Sequence, residues 1–267
     1  MKFGYQIVTH EVSKENVTGL RGEYEDLFAL LKDTGFTGVE LMVKNPFMVD
    51  FNLIGKLAET YGLDVVMFCT GEVYGEDGVC FAAPEEDIRA EAKRRTLKLL
   101  QEAETFGANV NVGRLRGAYV PGVAPEDTLR WVRSGLSETS RACPGAKLLI
   151  EPIHRKWTNL ILTTQEGLKF VKELDAPNVG LMLDIDHMTL EKEDIPASIK
   201  EAKGYFHHAH VCDTMHQCMG KGSNNFAEFL GALKSVDYDG YVTVEAFPSD
   251  NQQEEVRESY RILREYL

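Results

Sequence analysis

Four residues in this chain combine type and spacing in a way that can do chemistry. Ala146-Lys147-Leu148-Leu149-Ile150 runs into Glu151, and Leu181-Met182-Leu183 runs into Asp184. Phe206-His207-His208-Ala209 runs into His210, and Tyr241-Val242-Thr243-Val244 runs into Glu245. Three carboxylates brought together repel one another unless a cation sits between them. A set of hard oxygen donors with one imidazole suits Mn²⁺, Mg²⁺ or Co²⁺ in near-octahedral geometry, with Zn²⁺ also admitted and positions left for substrate oxygens. One acid at a strand end is an ordinary polar terminus. Four in phase, each closing a buried-looking strand, form a set.

The elements that must position them are short β-rich runs alternating with longer amphipathic ones. Strands are expected at Phe3–Val8, Gly38–Val43, Asp64–Cys69, Asn109–Gly113, Lys147–Glu151, Val179–Asp184, Phe206–Val211 and Tyr241–Glu245. Val65-Val66-Met67-Phe68 and similar continuous apolar runs fit parallel strands covered on both faces. Helical spacing marks Tyr24–Thr34 with Gly35 as a stop, a helix capped by Asp50 and ending at Tyr61, and a long helix over Glu85–Phe106. Thr163 and Glu166 form a capping-box pattern for a helix to Leu174. Strict alternation at about 33 residues per unit is the repeat of an α/β protein built as a single (β/α)₈ TIM barrel, spanning residues 1–267 as one domain. No G-x-G-x-x-G or G-K-[ST] follows a strand, which argues against a doubly wound nucleotide-binding sheet. In a barrel the carboxyl ends of the strands converge on one mouth, and that places the four residues together.

The net charge of −13 opposes a phosphodiester backbone, so nucleic acid is not an expected partner. No apolar run approaches the roughly 20 residues that span a bilayer, and the run after Met1 is too short for a signal peptide. The five cysteines are an odd number without C-x-x-C spacing. They are expected to be reduced thiols in a cytoplasmic protein that does not bind membranes. His187, three residues past Asp184, is placed to reach a substrate from the loop beyond the strand, and His208 lies one layer below His210 on the same strand face.

These motifs resemble those of the xylose isomerase-like barrels, and specifically the ketose 3-epimerases of the tagatose and psicose type with their keto-sugar-acid relatives. The resemblance rests on Thr70-Gly71-Glu72-Val73-Tyr74-Gly75-Glu76-Asp77-Gly78, Arg114-Leu115-Arg116-Gly117 and Ile150-Glu151-Pro152-Ile153-His154-Arg155. It continues through Leu183-Asp184-Ile185-Asp186-His187-Met188, His210-Val211-Cys212-Asp213-Thr214 and Val242-Thr243-Val244-Glu245. It implies that Glu151, Asp184, His210 and Glu245 bind one divalent metal, Mn²⁺ before the others. It also implies that Glu151 and Glu245 face opposite sides of the carbon that loses its proton, while His187 touches substrate oxygens. The reaction so implied is isomerisation or epimerisation of a small carbohydrate, a sugar or keto-sugar acid, through a metal-stabilised enediolate. Dimers and tetramers are common in that family, so a homo-oligomer is a further expectation.

Two positions depart from the pattern. Where the family carries a second glutamate six residues past the first ligand, this chain has Trp157; where it carries an arginine six residues past the histidine, this chain has His216. Both family side chains contact the sugar, so Trp157 and His216 are read as parts of a rebuilt substrate pocket. Arg114, Arg116 and Arg155 stand just past strand ends and suit a substrate carboxylate or phosphate, the alternative being surface ion pairing. Tyr74 lies in a Gly-flanked segment that reads as part of a lid. The same deprotonation followed by β-elimination gives the competing reading of a lyase or dehydratase, including cleavage of a C-glycoside-type bond in a keto sugar. Abasic-site endonucleases share the barrel, but they use several zinc ions and more histidines than the seven here, and the acidic balance opposes DNA. A catalytically silent barrel serving assembly is opposed by the intact ligand set.

Overall fold

The computed structural model describes residues 1–174 and 176–266. Its strands are β1 (Lys2–Val8), β2 (Gly38–Met42), β3 (Asp64–Cys69), β4 (Asn109–Val112), β5 (Lys147–Ile150), β6 (Val179–Asp184), β7 (Phe206–Val211) and β8 (Tyr241–Val244). Each pairs in parallel with its sequence neighbours, and β8 pairs back onto β1, so the sheet closes into an eight-stranded barrel. Phe3 opposite Val242 and Tyr5 opposite Val244 register the closure.

Helices α1 (Tyr24–Thr34), α2 (Phe51–Tyr61), α3 (Gly71–Gly75), α4 (Glu86–Phe106), α5 (Pro125–Ala142), α6 (Thr164–Leu174), α7 (Ile185–Leu190), α8 (Ile195–Glu201), α9 (Phe226–Ser235) and α10 (Gln252–Leu263) fill the connections. Local signals set their ends. Asp50 accepts from the Leu53 N–H as the cap of α2, and Gly62 and Gly107 close α2 and α4 in left-handed backbone that favours glycine. Thr163 Oγ1 accepts from the Glu166 N–H at 3.2 Å, while the Glu166 carboxylate reaches back to the Leu162 N–H rather than to that of Thr163. The segment after β3, expected as a Gly-flanked loop, instead winds into α3.

The main apolar core lies between strands and helices, with Ile7, Val39, Leu41, Phe28, Leu31 and Phe229 fully or almost fully buried in it. A separate cluster of Val66, Met67, Leu149 and Met182, with Tyr241 against it, fills the base of the barrel interior. Side chains along a strand alternate between these two environments, except at the β3 irregularity where the pairing steps from Val65 to Met67 and both Val66 and Met67 join the inner cluster. The inward position after Leu149 is therefore Glu151, and the one after Met182 is Asp184. No helix among the described residues is long and apolar enough to cross a membrane.

Candidate active site

The side chains of Glu151, Asp184, His210 and Glu245 meet at the carboxyl-terminal mouth, each 0–8 % exposed, with one donor atom apiece and all four atoms within 4.8 Å of one another. His210 Nδ1 stands 2.8 Å from Glu245 Oε2, 3.7 Å from Glu151 Oε1 and 3.8 Å from Asp184 Oδ2. Interstrand register explains the convergence: Asp184 on β6 is paired with His210 on β7, and His210 with Thr243, two residues before Glu245.

Each of the four is held from outside the cluster. Asn111 donates to Glu151 Oε2 at 2.8 Å. Asp184 Oδ1 caps α7, accepting from the backbone N–H groups of Asp186 and His187. Gln6 and Thr18 both donate to Glu245 Oε1, at 3.3 and 3.0 Å. His210 turns Nε2 to the fully buried carboxylate of Glu40, at 2.9 and 3.0 Å, which leaves Nδ1 facing the cluster. Glu40 also accepts from Gln6 and Thr243 and bonds His208, the layer below. Glu40, Gln6 and Asn111 were not anticipated from sequence as parts of the site. Their signal was a polar residue inside an otherwise apolar strand, as in Val39-Glu40-Leu41 and Val110-Asn111-Val112.

The backbone makes room for this arrangement at Gly113. A Cβ built there would lie 2.5 Å from Glu151 Oε2 and 3.0 Å from Asn111 Oδ1, so a side chain would displace the glutamate.

Electrostatics separates the two glutamates. Burial and the Glu245 carboxylate push Glu151 up, whereas Glu245 is held well below its ordinary range, against burial, by the His210 and His216 rings. Burial likewise opposes ionisation of Asp184, yet His187 and His216 beside it hold it down at about 2. Burial lowers His187 to about 3, so this ring is neutral at physiological pH. Glu151 Oε1 and Asp184 Oδ2 are buried with no hydrogen-bond partner and point into the same small volume. Three carboxylates, an imidazole oriented by a carboxylate and two orphaned oxygens fit a divalent cation.

A cleft of about 380 Å³ opens above Glu245, lined by Lys14, Thr18, Arg114, Lys156, Trp157 and Phe247 among others. Trp157 is 40 % exposed, with its ring centroid 5.2 Å from that of His216 and 5.5 Å from that of His187. His187 Nε2 lies 3.6 Å from Glu151 Oε1. His187, Trp157 and His216 are thus brought to the site, together with His154, whose ring packs against both Trp157 and His187 and which was not anticipated.

Two arginines expected to meet substrate do not reach the cleft. Arg116 is fully buried and donates to the carbonyls of Gly113, Glu151, Leu160 and Ile161, so its guanidinium ties the ends of β4 and β5 to the next loop. Arg155 is turned outward and pairs with Glu191 through its backbone N–H and its guanidinium. Of the three arginines only Arg114 lines the cleft, 3.3 Å from Glu72 and over the ring of Tyr74. The five cysteines are free and buried.

A closed parallel barrel with a buried carboxylate–histidine cluster at its mouth defines a (β/α)₈ scaffold carrying a cation-capable site. Within that class the chain belongs to the family described as the xylose isomerase-like TIM barrel, which matches residues 28–266. It is 25 % identical over 246 residues to a probable ketose 3-epimerase of Synechocystis sp., covering 87 % of this chain and 81 % of that protein. It is 27 % identical over 222 residues to an L-ribulose 3-epimerase of a Methylomonas strain, covering 81 % and 76 %. The fold matches the crystal structure of D-psicose 3-epimerase with D-tagatose from Clostridium cellulolyticum H10 over 100 % of this chain and 99 % of that one, with a TM-score of 0.84 at 22 % identity.

Proposed function

We propose that this protein epimerises or isomerises a sugar or keto-sugar acid by proton transfer beside a carbonyl, with Glu151 and Glu245 as the acid–base pair. The observation that carries this reading is the meeting of these two buried carboxylates, from β5 and β8, around one imidazole. The epimerase names of the relatives support it. When bound by Glu151, Asp184, His210 and Glu245, a divalent cation, Mn²⁺ before Mg²⁺, Co²⁺ or Zn²⁺, supplies Lewis acidity that polarises the substrate carbonyl and acidifies the adjacent C–H.

The chain's own groups do the rest. Glu151 Oε1 and Glu245 Oε2 face the cluster, so the outer oxygens, Glu151 Oε2 and Glu245 Oε1, exchange protons with the substrate carbon. Neutral donors hold both outer oxygens, Asn111 on one side and Gln6 with Thr18 on the other, which fixes their direction without neutralising them. His187, neutral in its buried place, donates to a substrate hydroxyl. Trp157 covers the mouth and supplies a face for the sugar. Lys14 and Arg114 share a single carboxylate, Glu72, so with Lys156 the rim of the cleft keeps an excess of positive charge, which favours a substrate bearing a carboxylate.

The test is turnover of a panel of ketoses and keto-sugar acids in deuterated water. Incorporation of one deuteron at the inverted carbon without loss of a group is expected, and Glu151→Gln and Glu245→Gln are each expected to abolish it while leaving the protein folded. Release of water or an aglycone would move the assignment to β-elimination. Wild-type rates in either variant would remove that glutamate from the reaction.

A further inference from the structure

Helix α3 presents two carboxylates one turn apart, Glu72 within it and Glu76 at its C-terminal cap, and both reach the segment that follows β1. Glu76 Oε2 accepts from the backbone N–H groups of Ser13 and Lys14, at 3.1 and 3.2 Å, and Lys44 Nζ lies 2.5 Å from its other oxygen. Arg21 donates to the carbonyls of Val12 and Lys14. The backbone of Lys14 is thus held at both its N–H and its carbonyl. Its ammonium stands 3.4 Å from Glu72 Oε2, while Arg114 Nη1 donates to Glu72 Oε1 at 3.3 Å. Glu72 is 4 % exposed, whereas the Lys14 and Arg114 side chains keep 38 and 30 % of their surface open and line the same cleft as Glu245. The fit leaves no slack. A Cβ at Gly75 would fall 2.5 Å from Glu72 Oε2 and 2.6 Å from Arg114 Nη1, so a side chain there would push the pair apart.

The proton-transfer steps above make no use of this cluster. Among the described residues Arg114 Nε and Nη2 have no hydrogen-bond partner, and a planar guanidinium takes a carboxylate through two parallel N–H groups. Two cations against one carboxylate leave a single net positive charge on this wall. That charge matches a carboxylate and falls short of a phosphate group, which carries about −1.5 to −2 at neutral pH. Lys156, the further cation of the lining, is on the loop after β5 with its Nζ 3.9 Å from Met215 Sδ. We propose that Arg114 and Lys14, held by Glu72, form an anion subsite that receives the carboxylate of a keto-sugar acid, and that Arg114 sets the preference for such acids over neutral ketoses. The proposal rests on the reading of this cleft as the substrate site of an epimerase or isomerase.

The experiment titrates the full chain, loaded with Mn²⁺, by calorimetry with two unreactive probes that differ at one carbon, D-gluconate and D-glucitol. Chelation of the ion by gluconate would survive Arg114→Gln, so that variant separates chelation from the subsite. The wild type is expected to bind gluconate about 10- to 100-fold more tightly than glucitol, and folded Arg114→Gln to lose that advantage. Equal affinity for the two probes, or an advantage that persists in folded Arg114→Gln, overturns the subsite. Tighter binding of D-glucitol 6-phosphate than of gluconate overturns the carboxylate assignment. Glu72→Gln adds one positive charge to the wall and is expected to shift the order toward the phosphate; an unchanged ratio overturns the charge match. Turnover is read separately, with D-fructose and D-fructuronate in deuterated water. A higher kcat/KM for D-fructose removes Arg114 as the specificity residue. Absence of exchange into either sugar, with gluconate binding still dependent on Arg114, removes the epimerase reading and leaves the subsite standing.

Discussion

Replacing Glu40 by glutamine keeps the shape of a fully buried side chain and removes its charge. Glu40 Oε1 accepts from Gln6 Nε2 and faces His210 Nε2, each at 3.0 Å; Oε2 meets Thr243 Oγ1 at 2.5 Å, His210 Nε2 at 2.9 Å and His208 Nε2 at 3.2 Å. An amide group is best tolerated at the Oε2 position, because the Thr243 hydroxyl can turn to accept and His208 can change tautomer. His210 then keeps one neutral acceptor in place of a carboxylate. A hydrogen bond to a charged group contributes about 1.5–3 kcal/mol and a neutral one about 0.5–1.5, so the loss on His210 is about 1–2 kcal/mol. At 1.4 kcal/mol per decade this weakens cation binding about 5- to 30-fold, through a less basic Nδ1 and a less constrained ring. Chelator competition at fixed pH and salt measures it, with circular dichroism confirming the fold. A folded Glu40→Gln protein with affinity within about twofold of wild type would refute the claim that Glu40 tunes His210.

Gly113→Ala pushes a methyl group against Glu151 Oε2; a fall in kcat of about 100-fold is expected with the protein still folded, and an unchanged kcat would show that the glutamate's position is not critical. Arg116→Ala leaves the buried carbonyls of Glu151 and Leu160 without the guanidinium that serves them, while those of Gly113 and Ile161 keep backbone N–H donors, and it is expected to lower stability by about 3 kcal/mol in urea unfolding. An unchanged midpoint with a raised KM for acidic sugars would instead return Arg116 to the substrate. Trp157→Glu is expected to change the order of preference among sugars while metal content stays constant, and an identical profile across the panel would remove Trp157 from the pocket.

Strand positions were legible in the sequence to within a residue or so at most ends, because a parallel strand buried on both faces leaves a continuous apolar run that needs no knowledge of its neighbours. Strand ends located Glu151, Asp184, His210 and Glu245: the first two are the first polar residues past a continuous apolar run, the other two close strands that already carry His207, His208 and Thr243, and alternation along each strand sends the four to the inner face. What surrounds them was decided only by the closed barrel. Glu40 and Gln6 on β2 and β1 meet His210 on β7 and Glu245 just past β8 because β1 pairs with β8, a contact about 240 residues apart in sequence that no local periodicity encodes. The arginines show the same limit from the other side. Arg116 and Arg155 both follow strand ends, but one is drawn inward by carbonyls from a later loop and the other outward by Glu191. Strand alternation specifies the face a residue takes within its own strand; which partner it finds there depends on register and on loops folded from elsewhere in the chain.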